Sequence, residues 1–422
     1  MAYSQAVPRN MVCLEIITSV LCTYCPGSAK GADDLISHGW QVAAIEDHSL
    51  GMGTDAYSNV GARSRETLYF AGSNGYPTAM FDGCSAFVGG NHTTSMYTSY
   101  LPKYNARMAV NSPLDMAMTF TNTGLHYDIT VTVTNVDTLS ATNLKLFVFV
   151  TESNIVHSWE GLNILNFVNR AMIPDQNGTT VDFTSGNTQT YDLSVDLDPS
   201  WVASNCEFIA TVQNMDAAQG TVSNGGSTMR SRQQYQTIKS GVIPLTANFS
   251  ADKDSIDVNT TVHFTSSASG GYVNAPQTYS WSFPGATPAA STDTNPAVIY
   301  TETGSHDVTL VINRGGETQS MTKTNFIKVN FGVGIKEQAG NQINVSPNPS
   351  NGTFRLTFNL GKSIVADLSI VNSAGKTVFS ESNVSISNDL TKTIRTVGLP
   401  SGEYFLTLKN GDTNLIKKIL IN

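Results

Sequence analysis

The sequence predicts a multidomain protein, with one α/β domain at the N-terminus followed by all-β sandwich domains. Near the N-terminus, an apolar, β-prone run leads directly into a Cys-x-x-Cys motif and then into a helix-like segment. After Ser112 the chain changes to short alternating stretches separated by Asn, Gly and Thr, which is the pattern of half-buried strands. A length of 422 residues leaves room for three or four such domains.

The Cys-x-x-Cys motif, Cys22-Thr23-Tyr24-Cys25, is the most informative feature of the predicted first domain, residues 1–110. It lies between the strand-like run 11–18 and the helix-like segment 27–37, with Pro26 at the predicted helix start. A helix N-terminus presents unpaired N–H groups and the positive end of the helix dipole, which stabilise a thiolate. This context favours a redox cysteine pair over half of a zinc site.

A second element, Tyr76-Pro77-Thr78, begins another strand-like run, and 42–45 predicts a strand between the two elements. In this order and spacing they resemble the thioredoxin superfamily. The resemblance implies a nucleophilic Cys22, a resolving Cys25, and a cis bond before Pro77 beside both cysteines. It also places Tyr76 at the substrate-binding edge.

One position departs from the thioredoxin pattern. The acidic residue often found six positions before the first cysteine is Ile16 here, with Glu15 one place earlier. This departure weakens the expectation of efficient catalysis, because disulfide exchange needs a group that manages protons. A structural Cys22–Cys25 disulfide is the alternative.

Three further cysteines, Cys13, Cys84 and Cys206, bring the total to five. In a thioredoxin-like sheet, placing Thr78 opposite Ser19 also places Cys13 opposite Cys84. A Cys13–Cys84 disulfide and a pair of buried free thiols are both compatible with this register. Cys206 lies in a strand-like run and is predicted to be an ordinary buried thiol.

The middle of the chain predicts two β domains, a β-sandwich over 111–240 and an immunoglobulin-like sandwich over 245–330. Residues 8–230 together resemble an outer-membrane-associated, thioredoxin-like family of Bacteroidetes-type bacteria. Residues 245–330 resemble a polycystic-kidney-disease (PKD) repeat, through motifs around the predicted core residue Trp281. His157, Trp159 and Glu160 are expected in a connecting loop, where they cap the end of the first sandwich or line a ligand groove.

Residues 343–422 carry the most specific pattern. They resemble the type A C-terminal sorting domain of the type IX secretion system, and this resemblance implies the secretion machinery as a partner. The matching positions are an opening motif, a Gly-Lys turn, a penultimate strand and a basic last strand: Pro347, Asn348, Pro349, Gly352, Gly375, Lys376, Gly402, Tyr404, Lys417 and Lys418. Residues 331–342 are expected to be a linker, so that the sorting domain is a removable address.

Composition and motifs exclude several classes of function. A net charge of −9 without a dense Lys/Arg stripe argues against a nucleic-acid partner. No apolar run is long enough to span a membrane, and no hydrolase triad, phosphate-binding loop or metal-ligand pattern is present, so neither a cofactor nor a metal is expected. The N-terminus lacks a signal peptide, so the export signal is either removed or lies upstream of an incorrectly assigned start.

Three functions remain for a protein that is secreted or held on the outer-membrane surface after transit through the periplasm. The first is a thiol–disulfide oxidoreductase that uses Cys22 and Cys25. The second is a surface binding or adhesion protein for an unknown protein or glycan ligand, in which Cys22–Cys25 is structural. The third is a structural component of a surface complex.

Overall fold

The computed structural model describes residues 5–72, 75–217, 219–330, 342–360, 363–387, 390–396, 398–410 and 413–422. The chain forms two compact units, Met1–Asn330 and Phe331–Asn422. Strands account for 54% and helices for 9%, so the protein is mostly β. Apart from Gln342, which begins a strand, the predicted linker lies outside the described residues.

The first segment alternates strands and helices: β1 (Val12–Thr18), α1 (Pro26–Ser37), β2 (Val42–His48), α2 (Val60–Tyr69), β3 (Thr78–Phe81), β4 (Ser85–Val88) and α3 (Tyr97–Met108). β1 pairs in parallel with β2 and antiparallel with β3, which in turn pairs antiparallel with β4. Every residue of β1 and β2 is buried, because α1 and α3 cover one face of the sheet and α2 covers the other.

The next segment is almost entirely β. After β5 (Leu114–Thr123), its strands are β6 (His126–Asn135), β7 (Leu144–Glu152), β8 (Ile155–Trp159), β9 (Leu162–Leu165), β10 (Val168–Ile173), β11 (Thr179–Val181), β12 (Thr188–Asp196), β13 (Cys206–Asn214), β14 (Thr221–Asn224), β15 (Ser227–Arg230) and β16 (Gln234–Gly241). A short 3-10 helix, Ala203–Asn205, precedes β13.

The predicted boundary at residue 110 falls inside one continuous sheet. β10 pairs in parallel with β2, so the described strands run in the order β16-β13-β7-β10-β2-β1-β3-β4, with β11 also paired to β7. The sheet β12-β6-β5 packs against the β7 and β13 end of this sheet through a shared apolar core. Residues 111–240 therefore do build a sandwich, but one of its two layers extends the N-terminal sheet.

A buried polar cluster also crosses the predicted boundary. Arg65 of α2 donates to Glu15 of β1 at 2.6 Å and to the Gln213 side-chain oxygen of β13 at 2.8 Å. The Arg65 and Glu15 side chains are almost completely buried, and breaking a buried ion pair leaves an uncompensated charge. This cluster fixes α2 to both parts of the sheet.

The third segment contains β17 (Phe249–Ala251), β18 (Ser255–Asp257), β19 (Thr260–Ser266), β20 (Gln277–Ser282), β21 (Ala286–Thr287), β22 (Ala290–Ser291), β23 (Ala297–Tyr300), β24 (Gly304–Arg314) and β25 (Glu317–Asn330). They form two sheets, β17-β19-β23-β21 and β18-β25-β24-β20-β22, around the buried Trp281, as expected. Glu207 of β13 holds this segment to the rest of the unit, because it pairs with Lys239 at 3.1 Å and accepts from the Val273 N–H at 3.0 Å.

The second unit contains β26 (Gln342–Ser346), β27 (Thr353–Asn359), β28 (Ile364–Asn372), β29 (Thr377–Ile386), β30 (Thr391–Arg395), β31 (Gly402–Asn410) and β32 (Thr413–Ile421). Its described strands form the sheets β26-β27-β30 and β29-β28-β31-β32. Alternate residues of both sheets meet in one apolar core that includes Phe354 and Leu406.

Candidate functional site

Cys22 and Cys25 form a disulfide at the start of α1, with their Cα atoms 5.4 Å apart. The chain turns between the strand and the helix, since Cys22 N–H donates to Ser19 O at 3.0 Å and Ser28 N–H donates to Cys25 O at 2.9 Å. Tyr24, between the cysteines, is 61% exposed, whereas Cys22 and Cys25 are 2% and 0% exposed. The turn therefore reaches the surface while the sulfur atoms lie beneath it.

The β8–β9 hairpin covers the disulfide. Trp159, at the end of β8, is 2% exposed and packs in one apolar cluster with Cys22, Cys25 and Leu165. The prediction of a connecting loop for His157, Trp159 and Glu160 was wrong for the first two residues. His157 and Trp159 belong to β8, and Glu160 lies in the hairpin turn. Sequence alternation did not identify β8 and β9 as strands, so it could not show that a hairpin covers this site.

Two partly exposed contacts hold this hairpin in place. His157 Nδ1 lies 3.1 Å from Tyr57 Oη. His92 Nδ1 lies 3.6 Å from a Glu160 carboxylate oxygen, and both of these side chains are about two-fifths exposed. The same His92 nitrogen lies 3.1 Å from the carbonyl oxygen of Thr23, within the Cys-x-x-Cys motif. Exposed pairs of this kind contribute about 0–1 kcal/mol each, so Trp159 burial is the main force that keeps the hairpin closed.

A buried charged cluster lies on the other side of Trp159. The His48 ring is 6.4 Å from the Trp159 ring, and His48 Nδ1 is 3.0 Å from an Asp55 carboxylate oxygen. His48 Nε2 is 3.7 Å from a Glu46 carboxylate oxygen. Although burial alone lowers the pKa of His48, the Asp55 and Glu46 carboxylates raise it to about 9.

Two acidic residues near α1 hold protons more tightly than usual. Burial raises the pKa of Glu46, although His48 opposes this effect. Burial, followed by the charge of Glu46, raises the pKa of Asp33 to about 7. The Asn166 side-chain amide donates to Asp33 at 2.8 Å. Sequence reasoning missed both groups, and the acidic end of the β2 run was an available signal for Glu46 alone.

Tyr76 and Pro77 lie at the same end of the sheet as the disulfide. The Tyr76–Pro77 peptide bond is cis, as expected. The Tyr76 ring packs against the cluster that contains both cysteines, and its hydroxyl contacts Glu66. A Cβ atom at Gly90 would overlap both the Tyr24 carbonyl oxygen and the Pro77 ring. Gly90 therefore lets the Pro77 loop approach the Cys-x-x-Cys turn closely.

The Cys13–Cys84 disulfide that the expected register allowed is not formed, and both residues are free thiols. The register differs from the expected one by two residues, because Thr78 pairs with Ile17 rather than with Ser19. Asp82 occupies the position opposite Cys13, where Cys13 N–H donates to its carboxylate at 3.0 Å. Cys206 is a buried strand thiol, as expected.

The predicted sorting residues lie in three places in the second unit. Pro347, Asn348, Pro349 and Gly352 lie between β26 and β27, Gly375 and Lys376 lie at the turn between β28 and β29, and the others lie on β31 and β32. The structure brings the first and last groups together, because Asn348 donates to Lys418 O at 2.9 Å and accepts from Leu420 N–H at 2.7 Å. The Gly375–Lys376 turn is not part of this contact.

The described residues contain neither a candidate metal cluster nor a candidate membrane-spanning helix. In the described ranges, no group of three His, Cys, Asp or Glu side chains is arranged to hold a metal ion. Within those same ranges, no helix has the length and apolar character needed to cross a membrane.

Comparisons with known proteins identify two parts of the chain. A model of the secretion system C-terminal sorting domain matches residues 344–422, and a PKD domain model matches residues 244–329. No curated protein matches the chain.

Similarity to solved structures is weak. The chain is 12% identical to HBP35 of Porphyromonas gingivalis, covering 99% of this chain and 100% of that one, with a TM-score of 0.43. It is 12% identical to the FN1–FN3 domains of chicken CNTN1, covering 72% and 97%, with a TM-score of 0.21. It is 11% identical to three N-terminal domains of the bacteriophage RB49 Hoc protein. That match covers 73% of this chain and 97% of that one, with a TM-score of 0.18.

Structural similarity at this level does not identify a fold or a function. The domains of this chain are therefore assigned from the two domain matches. The protein has a PKD domain among immunoglobulin-like β domains and ends in a type IX sorting domain, which implies secretion and attachment at the cell surface.

Proposed function

We propose that the N-terminal α/β segment is a thioredoxin-like unit and that Cys22–Cys25 is the thiol–disulfide exchange site of a cell-surface protein. The observation that carries this proposal is the disulfide at the start of α1, where Pro77 closely approaches the cysteine turn. Strand order supports it, because β2-β1-β3-β4 with α1 and α3 on one face is the arrangement that the thioredoxin resemblance implies. Fold alone does not give activity, so the proposal depends on the cysteines.

In the oxidised state that the structure shows, the exchange oxidises a substrate dithiol. A substrate thiolate attacks the Cys22 sulfur, the Cys22–Cys25 bond breaks, and Cys25 leaves as a thiolate that takes up a proton. The second substrate thiolate then attacks the substrate sulfur that is bonded to Cys22, which forms the substrate disulfide and releases Cys22 as a thiolate. The substrate loses two electrons and the cysteine pair gains them. The reverse sequence, beginning with a Cys22 thiolate, reduces a substrate disulfide.

The burial of Cys22 adds a step to this exchange. A substrate sulfur must reach an atom that Trp159 and its hairpin cover, so β8 and β9 move away before attack. The contacts from His157 and Glu160 are few and partly exposed, which permits this movement. Closed, the hairpin protects the disulfide from small thiols.

A second function is favoured by the same burial. When both sulfurs stay covered, the disulfide acts as a structural bond at the base of a surface binding protein, and the β domains carry the ligand site. The ligand would then be an extracellular protein or glycan. A PKD domain is compatible with this role as well as with the first one.

Insulin reduction by the full-length chain, with dithiothreitol as the electron source, separates the two functions. The exchange proposal predicts activity that Cys22→Ser abolishes and that Cys84→Ser, a change at a free thiol, leaves intact. Cys25→Ser should trap a mixed disulfide on Cys22, because no resolving thiolate remains. Equal activity of the parent chain and Cys22→Ser would leave the structural disulfide as the better account.

We also propose that the second unit acts as the sorting signal for export. Asn348 joins the Pro-Asn-Pro segment to β32, so the matching residues at both ends of the domain form one surface for the secretion machinery. Cleavage within 331–342 would then release the first unit. Deletion of residues 341–422 should leave the first unit folded in the periplasm, and its continued appearance outside the cell would refute this role.

A further inference from the structure

An open groove of about 590 Å³ lies beside the outward face of α2. The groove is lined by Val60, Arg63, Ser64, Thr67, Leu68, Gln176, Arg230 and Arg232. Three guanidinium groups border this one opening, and none of the described residues that line it is acidic. The chain as a whole has a net charge of −9, so this is a local concentration of positive charge against the overall sign.

The surrounding structure holds two of these arginines in place. Arg230 Nη1 donates to Thr67 O at 3.0 Å and also to Phe70 O, which satisfies carbonyl groups at the end of α2. Arg232 Nη1 donates to Asp216 O at 2.6 Å. The Asp216 carboxylate itself accepts from the Thr142 N–H and hydroxyl groups, both at 2.9 Å.

Arg63 and Arg232 keep donors that the described groups do not satisfy. Arg232 Nε is buried and has no hydrogen-bond partner among the described groups. Leaving a buried charged donor unpaired is costly, and such groups in native proteins usually meet a ligand, an ion or water. Among the described residues, Arg63 on the helix side of the groove makes only a long contact of 3.4 Å from Nη1 to Ser58 Oγ. Arg63 therefore has donors available to an anion in the groove, and Arg232 adds its charge at the groove wall.

Two hydroxyl groups of α2, those of Ser64 and Thr67, also line the groove. Ser64 donates its proton to Gly61 O at 2.7 Å, and Thr67 donates its proton to Arg63 O at 2.9 Å. Both oxygens are left as acceptors, which match the hydroxyl donors of a sugar and not an anion. Val60 and Leu68 add apolar surface against which a sugar ring can pack.

We propose that this groove binds a sulfate or phosphate ester carried by a glycan. A guanidinium presents parallel N–H groups that match two oxygens of a tetrahedral anion, and Arg63 supplies such a group while Arg232 adds a second positive charge. Secretion through the type IX system places the groove among extracellular glycans. This binding does not depend on the redox state of Cys22 and Cys25.

Isothermal titration of the full-length chain at low salt tests this inference. The probes are a heparin-derived hexasaccharide and mannose 6-phosphate, with an oligogalacturonate of matched length as the carboxylate control. We expect one or both esters to bind, and which of them binds identifies the source of the anion. Arg63→Gln and Arg232→Gln should each lower the affinity at least about tenfold, because each removes a positive charge from the groove.

Two further variants control this experiment. Arg63→Lys should bind at an intermediate level, because it keeps the charge but loses the two-point contact. Arg355→Gln, a change of the same charge at an exposed position in the second unit, should leave the affinity unchanged. The inference is overturned when neither ester binds the parent chain, when oligogalacturonate binds as tightly, or when the double variant Arg63→Gln/Arg232→Gln binds like the parent.

Discussion

Glu46 of β2 lies directly beside Ile16 of β1 in their parallel register, and both side chains face α1. Ile16 occupies the position where an acidic residue was expected beside a redox cysteine pair. Under the proposed exchange function, Glu46 would supply this acidic group from the neighbouring strand. Glu15 does not replace it, because Glu15 lies on the opposite face of the sheet and pairs with Arg65.

The first prediction concerns Glu46, which is expected to take up and release the proton of the exchange reaction. Burial raises the pKa of Glu46 above its ordinary value, so this carboxyl group holds a proton more tightly than an exposed one, as a general acid–base group requires. Glu46→Gln should slow insulin reduction by at least about tenfold near pH 7 and alter the pH dependence of the rate. Asp128→Asn, an acidic change at an exposed position of β6, is the matched control. An unchanged pH–rate profile in Glu46→Gln would exclude this role.

The second prediction concerns the hairpin over the disulfide. Trp159→Ala removes the main apolar cover, so dithiothreitol should reduce Cys22–Cys25 about tenfold faster or more, as followed by thiol titration. The same change should cost about 3–5 kcal/mol of stability, because it leaves a cavity. Val156→Ala, on the same hairpin but 87% exposed, should change neither quantity. Equal reduction rates for Trp159→Ala and the parent chain would show that the hairpin does not limit access.

The third prediction concerns the free cysteines. Burial, with the charges of Glu15 and Asp82, raises the pKa of Cys13 well above its usual value. Iodoacetamide should therefore leave Cys13 unmodified in the native protein and modify it after denaturation. Mass spectrometry of protein purified without reductant should show the Cys22–Cys25 bond and three free thiols. A Cys13–Cys84 linked peptide would contradict the observed register.

The fourth prediction concerns Asp33 and the pH dependence of stability. The pKa of Asp33 rises from its ordinary 3.8 to about 7 on folding. Between these values the folded state binds more protons than the unfolded state, so the free energy of unfolding falls as pH rises through this window. Asp33→Asn cannot ionise and should be more stable than the parent at pH 8, by about 1–3 kcal/mol, but not at pH 3.

Calorimetric unfolding of the first unit, within the full-length chain, measures this difference. Asp34→Asn is the neighbouring control and should show no comparable gain at pH 8. A stability difference between Asp33→Asn and the parent that stays constant from pH 4 to pH 8 would show that Asp33 does not lose a proton unfavourably in the folded state.

The sequence predicted the elements of the first segment better than their partners. The strand, Cys-x-x-Cys motif and helix follow from local pattern, and α1 ends near Gly39, whose φ of +81° suits glycine at a helix end. The pairing of β10 with β2 joins segments more than 100 residues apart in the chain, and local alternation carries no information about it. For this reason the single sheet across residue 110 was not foreseen.

The residues of the candidate site were only partly predictable, because local sequence pattern carries no information about long-range pairing. Cys22, Cys25, Tyr76 and Pro77 could be found because their order along the chain is a motif. Trp159 could not, because it reaches the cysteines only through the hairpin fold. Glu46 could not either, because only the register of β2 places it beside Ile16. A one-step error in register would have placed Glu46 on the α2 face.

The reduction potential of the Cys22–Cys25 bond in the full-length protein tests the central proposal most directly. Equilibration with glutathione buffers, followed by alkylation and mass spectrometry, measures this potential. An exchange site should have a potential at or above about −270 mV, in the range of proteins that exchange disulfides with substrates. A potential below about −300 mV would identify a structural disulfide and contradict the proposed function.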